Sequence, residues 1–169
     1  MTRILGIDPG SRITGFGIVE TSGRGFRYVT SGVIRTASAP FPDRLRVIFE
    51  DLSALISEHQ PHGMAVEQVH VRHNVATALK LGQARGVAIC AGAVKALPVH
   101  EYTPAEAKQA LVGHGGADKR QVQTMVRLLL DLPSPPPEDA ADALAMALCH
   151  LHQGPFARRV ALASARQWK

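Results

Sequence analysis

Four carboxylates in this sequence stand where a carboxylate could do chemistry: Asp8, Glu67, Asp139 and Asp142. Asp8 closes the apolar run Ile4-Leu5-Gly6-Ile7, and Pro9-Gly10-Ser11 turns the chain directly after it. A charge at the end of a core strand costs several kcal/mol unless it is paired or a cation sits on it. Glu67 occupies the same kind of place in the short run Met64-Ala65-Val66-Glu67-Gln68-Val69. Asp139 and Asp142 are three apart in Glu138-Asp139-Ala140-Ala141-Asp142-Ala143 and share one face of a helix start. Each acid alone has an ordinary explanation: Asp8 as the cap of its own turn, Glu67 as a solvated strand end, the aspartates as complements of a helix dipole. Gathered in one pocket, four acids repel unless divalent cations neutralise them. Hard oxygen ligands favour Mg²⁺ or Mn²⁺. Two such ions about 3.5–4 Å apart can activate a water and stabilise the leaving oxygen of a phosphodiester.

Charge elsewhere agrees with a polyanionic substrate. The 169 residues carry 19 Lys and Arg against 14 Asp and Glu, a net charge of +5. Setting the four acids aside leaves ten acids against those 19, so the remaining surface is near +9. An acidic pocket in a basic surface suits a nuclease, because the surface holds phosphates and the pocket holds metals. The length suits one domain with a substantial core. No apolar run reaches a membrane span, and no signal-peptide pattern opens the chain, so a cytoplasmic location and no membrane partner are expected. Cys90 and Cys149 fall in apolar, helix-like stretches and read as two buried thiols of a reducing compartment.

The elements that must position the acids follow from periodicity. Strands are expected at 4–8, 13–20 and 26–35, with a hairpin turn over Thr21–Gly25, and strands this close form an antiparallel meander. Gly15 and Gly17 inside the second strand imply close approach of a backbone or a ligand. A helix is expected from an Asp43 cap to Gln60, then the Glu67 strand, laid parallel to an earlier strand by a right-handed crossover. Asn74 is expected to cap a long helix to about Leu97, rich in alanine and glycine and closely packed on the sheet or on a second subunit. A fifth strand follows over 98–102. Thr103-Pro104-Ala105-Glu106 is a capping box that starts a helix to about Val112, Asp118 starts the next, and the last runs from Glu138 to about His152. His150 and His152 lie two apart on that helix and point apart. The fold class is α/β: a five-stranded mixed sheet flanked by helices, with the Asp8 and Glu67 strands adjacent and the last helix crossing them. Residues 1–152 form this nuclease domain, and 153–169 form a basic tail.

Gly6-Ile7-Asp8-Pro9-Gly10-Ser11-Arg12, Glu67-Gln68-Val69, the stretch from Leu79 to Ala88 and Asp139-Ala140-Ala141-Asp142-Ala143-Leu144-Ala145 together resemble the RuvC family of Holliday junction resolvases. The resemblance runs in order through nearly the whole chain, to about residue 152. It implies a ribonuclease H-like fold and a homodimer that nicks two strands of a four-way DNA junction symmetrically, in recombination and repair. It also implies metal binding and catalysis by Asp8, Glu67, Asp139 and Asp142, with two Mg²⁺ or Mn²⁺ ions, and leaves a place for branch-migration motor proteins as partners. Lys108 and Lys119 match basic positions that family members use near the scissile DNA. Family members often carry Phe after Glu-Gln-Val, stacked on bases at the junction centre; here His70 stands there. A smaller imidazole puts that wedge in question. His70, with Arg72 beside it, is expected to contact DNA.

Three other readings compete. An actin-like or sugar-kinase-like ATPase would need a second phosphate-binding half, for which 169 residues leave no room. A junction-binding protein without catalysis would gain by replacing the acids near phosphate. Ribonuclease H activity on RNA–DNA hybrids shares fold and metals and is separated only by assay.

Overall fold

Strand alternation decides which side of the sheet each carboxylate faces. The computed structural model describes residues 1–23, 25–69 and 75–153. Strands β1 (Arg3–Asp8), β2 (Ile13–Ser22), β3 (Gly25–Arg35), β4 (Gly63–Glu67) and β5 (Val99–Tyr102) form one sheet in the order β3-β2-β1-β4-β5. The first three are antiparallel, while β4 and β5 add in parallel beside β1. This is the mixed five-stranded sheet expected from the sequence. Helices α1 (Phe41–His59) and α2 (Val75–Val94) cover one face. Helices α3 (Pro104–Val112), α4 (Lys119–Leu129) and α5 (Glu138–Gln153) cover the other.

Leu5 and Ile7 of β1 and Met64 and Val66 of β4 are buried under α1 and α2. Ile4 and Ala65 are buried on the opposite face, against α5 and its neighbours. Side chains two apart share a face, so Asp8 sides with Ile4 and Glu67 with Ala65. Both acids therefore face α5. Ile7 pairs with Val66 in the parallel ladder, which leaves Asp8 and Glu67 one residue further along neighbouring strands.

Helix α5 is bedded directly on glycines. A Cβ at Gly6 would lie 1.9 Å from the Ala143 carbonyl oxygen, and one at Gly15 would lie 2.1 Å from that of Asp139. Gly15 stands opposite Asp8 in the β1–β2 register. The backbone whose approach the glycines imply is thus the first two turns of α5, and the seat brings Asp139 next to the Asp8 strand. The helix meets it with small side chains, among them the buried Ala140, Ala143 and Ala147.

At the other end of β1 a fully buried carboxylate is handled differently. Glu20, 2% exposed, accepts from Arg3 Nε and Nη2 at 3.0 and 2.8 Å and from Arg27 Nε at 2.8 Å, with an Arg27 Nη2 contact besides. The same Arg3 donates to the His59 carbonyl at the end of α1. These guanidiniums hold the Glu20 carboxyl below its ordinary range.

Local departures from the sequence reading have physical reasons. Helix α1 begins at Phe41 with Pro42 in its first turn, and Asp43 lies inside that turn rather than capping it. Proline fits there because the first turn needs no N–H partner. Strand β2 runs past Glu20 to Ser22, because the Thr21 backbone N–H donates to the Thr2 carbonyl at 2.9 Å and the Thr2 N–H donates to Thr21 Oγ1 at 2.8 Å. The capping box at Thr103 starts α3 as expected, Asp118 starts α4 as expected and does so through a second capping box with Gln121, and Gly113 at φ 88° ends α3. Helix α2 ends at Val94, before a turn in which Ala96 takes φ 55°. Cys149 is buried, but Cys90 is exposed on the outer face of α2, which corrects the expectation of two buried thiols. Asn74 and residues 154–169 lie outside the described residues. No helix among those described is long and apolar enough to cross a membrane.

Candidate active site

The acids meet in a cleft where β1, β4 and α5 come together. Asp8, Glu67, Asp139 and Asp142 all line a cavity of about 320 Å³. Asp8 and Glu67 arrive on adjacent strand ends, and the glycine seat delivers Asp139 and Asp142 from the first turns of α5. Lys108 of α3 and Lys119, the first residue of α4, line the same cavity. Pro104, Ala107, Val122 and Met146 supply apolar walls. A second opening, bounded by Pro9, Gln68, Val69 and Leu81, shares Asp8, Glu67, Pro104 and Lys108 with the first and extends the cleft along the end of β4.

The protein under-neutralises these acids. Burial pushes the Asp8 carboxyl well up, and its hydrogen bond with Glu67 and the charges of Glu67 and Asp139 push the same way. Burial raises Glu67 too. Asp142 is raised to about 6, by burial first and then by the charge of Asp8. Lys119 opposes the rise at all three, and Lys108 does so at Glu67. Half-buried carboxylates crowded together without matching cations are the donor set a hard divalent ion takes. Among the described residues no three His, Cys, Asp or Glu side chains are arranged as a ready-made metal cage. An open acid-lined cleft still fits Mg²⁺, which keeps waters and substrate phosphates in its shell instead of closing an all-protein cage.

Lys108, Lys119 and the four acids are thus in one place. His70 and Arg72 lie outside the described residues. His150 and His152 do point apart: His150 Nδ1 lies 2.8 Å from the Tyr102 hydroxyl beside the His100 ring, and His152 packs edge-on against Phe26. Burial lowers the His150 imidazole to about 4.

Two residues at the cleft escaped the sequence reading. Glu138 lines the cavity and forms an ion pair with Lys119; in the sequence it is only one more acid in a helix first turn. Arg85 of α2 donates from Nε to the Glu67 carbonyl at 3.2 Å and pairs through Nη2 with Glu101 of β5 at 2.5 Å. It clamps the end of β4 from outside the sheet. Its only sequence signal is its place in the Leu79–Ala88 stretch.

Known proteins resemble this chain in sequence and in fold. A family model described as crossover junction endodeoxyribonuclease RuvC matches residues 4–150. The crossover junction endodeoxyribonuclease RuvC of Alkalilimnicola ehrlichii is 61% identical over 165 residues, covering 98% of this chain and 100% of that protein. The Thermus thermophilus RuvC solved with a Holliday junction substrate superposes with a TM-score of 0.87 at 34% identity, over 95% of this chain and 97% of that one. The yeast mitochondrial Holliday junction resolvase Ydc2, 14% identical with a TM-score of 0.67 over 94% of this chain and 84% of its own, shares the fold. By sequence along nearly its whole length, the chain belongs to the RuvC family of crossover junction endodeoxyribonucleases.

Proposed function

We propose that this endodeoxyribonuclease resolves four-way DNA junctions by paired phosphodiester hydrolysis, with Asp8, Glu67, Asp139 and Asp142 holding two Mg²⁺ or Mn²⁺ ions. The observation that carries the reading is the convergence of four acids from three elements in one cleft, with lysines at its margin. When bound, the cations supply Lewis acidity that eases deprotonation of the attacking water and offsets charge on the leaving oxygen. The chain does the rest. The strand ends fix Asp8 and Glu67, the glycine seat fixes Asp139 and Asp142, and Arg85 holds the Glu67 backbone against β5. Lys108 and Lys119 meet the phosphates that flank the scissile bond, and the wider basic surface supplies most of the affinity. Water oxygen bonds to phosphorus as the bond to a sugar oxygen breaks. His70 and Arg72 follow Glu67 closely in sequence and are assigned to the junction strands. Residues 154–169 add basic charge outside the nuclease domain.

Two symmetric nicks need two such clefts, and one chain has one set of acids, so the working form is a homodimer. Helix α2 offers the interface. Val75, Leu79, Gly82, Gly86 and Ala93 repeat at spacings of three, four or seven along its outer face. Val75 and Leu79 are 70% and 64% exposed, and a Cβ at Gly82 or Gly86 would meet no described atom within 4 Å. Glycines unused inside the chain suit close approach of a second backbone.

The decisive experiment is strand-resolved cleavage of a mobile four-way junction with Mg²⁺ or Mn²⁺, beside an RNA–DNA hybrid of equal length. Paired nicks in opposed strands are expected. Cleavage of the hybrid with the junction intact would replace this reading by ribonuclease H activity. Sedimentation is expected to give twice the 18.1 kDa chain mass. Gly86→Leu is expected to shift that mass toward the monomer and to uncouple the nicks; a wild-type monomer that still cuts both strands in one encounter would overturn the dimer. Whether branch-migration motors act on the same junction is tested by adding them to this assay.

A further inference from the structure

The ion pair between Glu138 and Lys119 lies at the exposed margin of the cleft, outside the buried core. Both side chains are largely exposed, at 53% and 66%, and both line the acid cleft. Their backbones are fixed. Lys119 follows the Asp118 cap, whose side chain accepts from the Gln121 N–H at 2.8 Å, and Glu138 opens α5 one residue before Asp139. Gln123 Nε2 donates to the Pro136 carbonyl at 3.1 Å, tying α4 to the connector that leads into Glu138. The lysine stem is not fixed: four rotatable carbons let its ammonium swing. The cleft acids within its electrostatic reach are Asp8, Glu67 and Asp142.

Resting on the metal reading of the cleft, we propose that Glu138 is a positioning residue that parks the Lys119 ammonium at the cleft margin. There it stays off Asp8 and Asp142, and those carboxylates remain open to divalent cations. An ammonium laid on the acids would compete with a cation for the same oxygens. Glu138 offers the ammonium an anion outside that set. It also leaves Lys119 where a flanking phosphate can draw it away, because an exposed ion pair is weak. Glu138 thus separates two uses of positive charge in one cleft, the ions on the acids and the lysine on the DNA.

The test is Mn²⁺ binding without DNA, read from the free Mn²⁺ signal by electron paramagnetic resonance, on full-length proteins checked by circular dichroism. Glu138→Gln is expected to weaken Mn²⁺ binding by roughly two- to fivefold, and Glu138→Asp to stay near wild type. In a Lys119→Met background, Glu138→Gln is expected to have no further effect, because no ammonium remains to park. An equal loss in both backgrounds would overturn the proposal and make Glu138 a ligand. No change in either background would also overturn it and leave a plain surface ion pair. Failure of wild type itself to bind Mn²⁺ would overturn the metal reading beneath it, an outcome distinct from both.

Discussion

Strand β1 has a carboxylate at each end, one buried and one half-buried, and the chain treats the two in opposite ways. At its start, Glu20 of the neighbouring strand is 2% exposed and met by two guanidiniums, which hold its carboxyl below the usual range. At its end, Asp8 is met chiefly by other acids, and its carboxyl is pushed up, first by desolvation and then by Glu67 and Asp139. Both sites are local; only one is satisfied from within the chain. A buried, paired charge locks structure, whereas buried, unpaired charge is a cost that persists only where something outside the chain removes it. The contrast separates an architectural site from a functional one without appeal to any relative.

The sharpest way to break the contrast is to neutralise the acids. Asp8→Asn, Glu67→Gln, Asp139→Asn and Asp142→Asn are each expected to cut junction cleavage by roughly three orders of magnitude or more. Junction binding should survive, because the basic surface supplies most of it. Single-turnover cleavage and an equilibrium binding titration check this. Full activity in any one variant would remove that residue from the metal set, and joint loss of binding and cleavage would point to folding.

Next comes the glycine seat. Gly15→Ala would force a Cβ to within 2.1 Å of the Asp139 carbonyl, where backbone on both sides must shift. A loss of about 1–3 kcal/mol is expected, with cleavage falling further than stability alone explains, because α5 carries two of the acids. Denaturant unfolding set beside cleavage of the remaining folded protein separates the two effects.

Neutralising single members of the two carboxylate sites should then have opposite signs. Glu20→Gln is expected to destabilise the protein by about 1–3 kcal/mol, since it breaks charge-assisted hydrogen bonds to Arg3 and Arg27. Asp8→Asn is expected to stabilise the metal-free protein by about 1 kcal/mol, because an amide spares the folded chain the cost of neutralising a carboxyl that is ionised when unfolded. Thermal unfolding in chelator checks both. Added Mn²⁺ should raise the wild-type midpoint and leave that of Asp8→Asn nearly unmoved. Destabilisation by Asp8→Asn would make the cleft as architectural as the Glu20 site.

The functional end was more legible in the sequence than the architectural one. Asp8 stood out because an apolar run led into it, and the sheet order followed from three close strands and one strand–helix–strand step. Gly15 announced a close backbone without saying which, since the α5 segment is more than a hundred residues away in the chain. Glu20 raised no signal. It closes an expected strand as an ordinary polar terminus, and its partners Arg3 and Arg27 come from two other strands through a register no local pattern states. Glu138 and Arg85 were hidden for the same reason: their meaning lies in what they touch. Asp43 misled because a capping residue and a first-turn acid look alike, and proline decided between them.

The smallest effect is the acid limb of stability. Glu20 has an ordinary carboxyl value of 4.5, and its arginines lower it in the folded protein. Below 4.5 the unfolded chain therefore binds more protons than the folded one, and stability rises with pH across that window. The contribution is complete above 4.5 and is lost as pH falls through the folded value, by at most about 1.4 kcal/mol per pH unit. His150 adds a slope of the same sign higher up, because burial lowers its imidazole from 6.5 to about 4. The wild-type profile alone thus mixes many groups, with the raised carboxyls of Asp8, Glu67 and Asp142 contributing the opposite sign. The difference between wild type and Glu20→Gln isolates one, since both proteins keep His150. In chelator, that difference is expected to be constant above about pH 5 and to shrink as pH falls below 4.5. A difference that stays flat to pH 3 would mean that Glu20 gains nothing from its arginines, and the satisfied end of β1 would lose its claim to be the stabilising one.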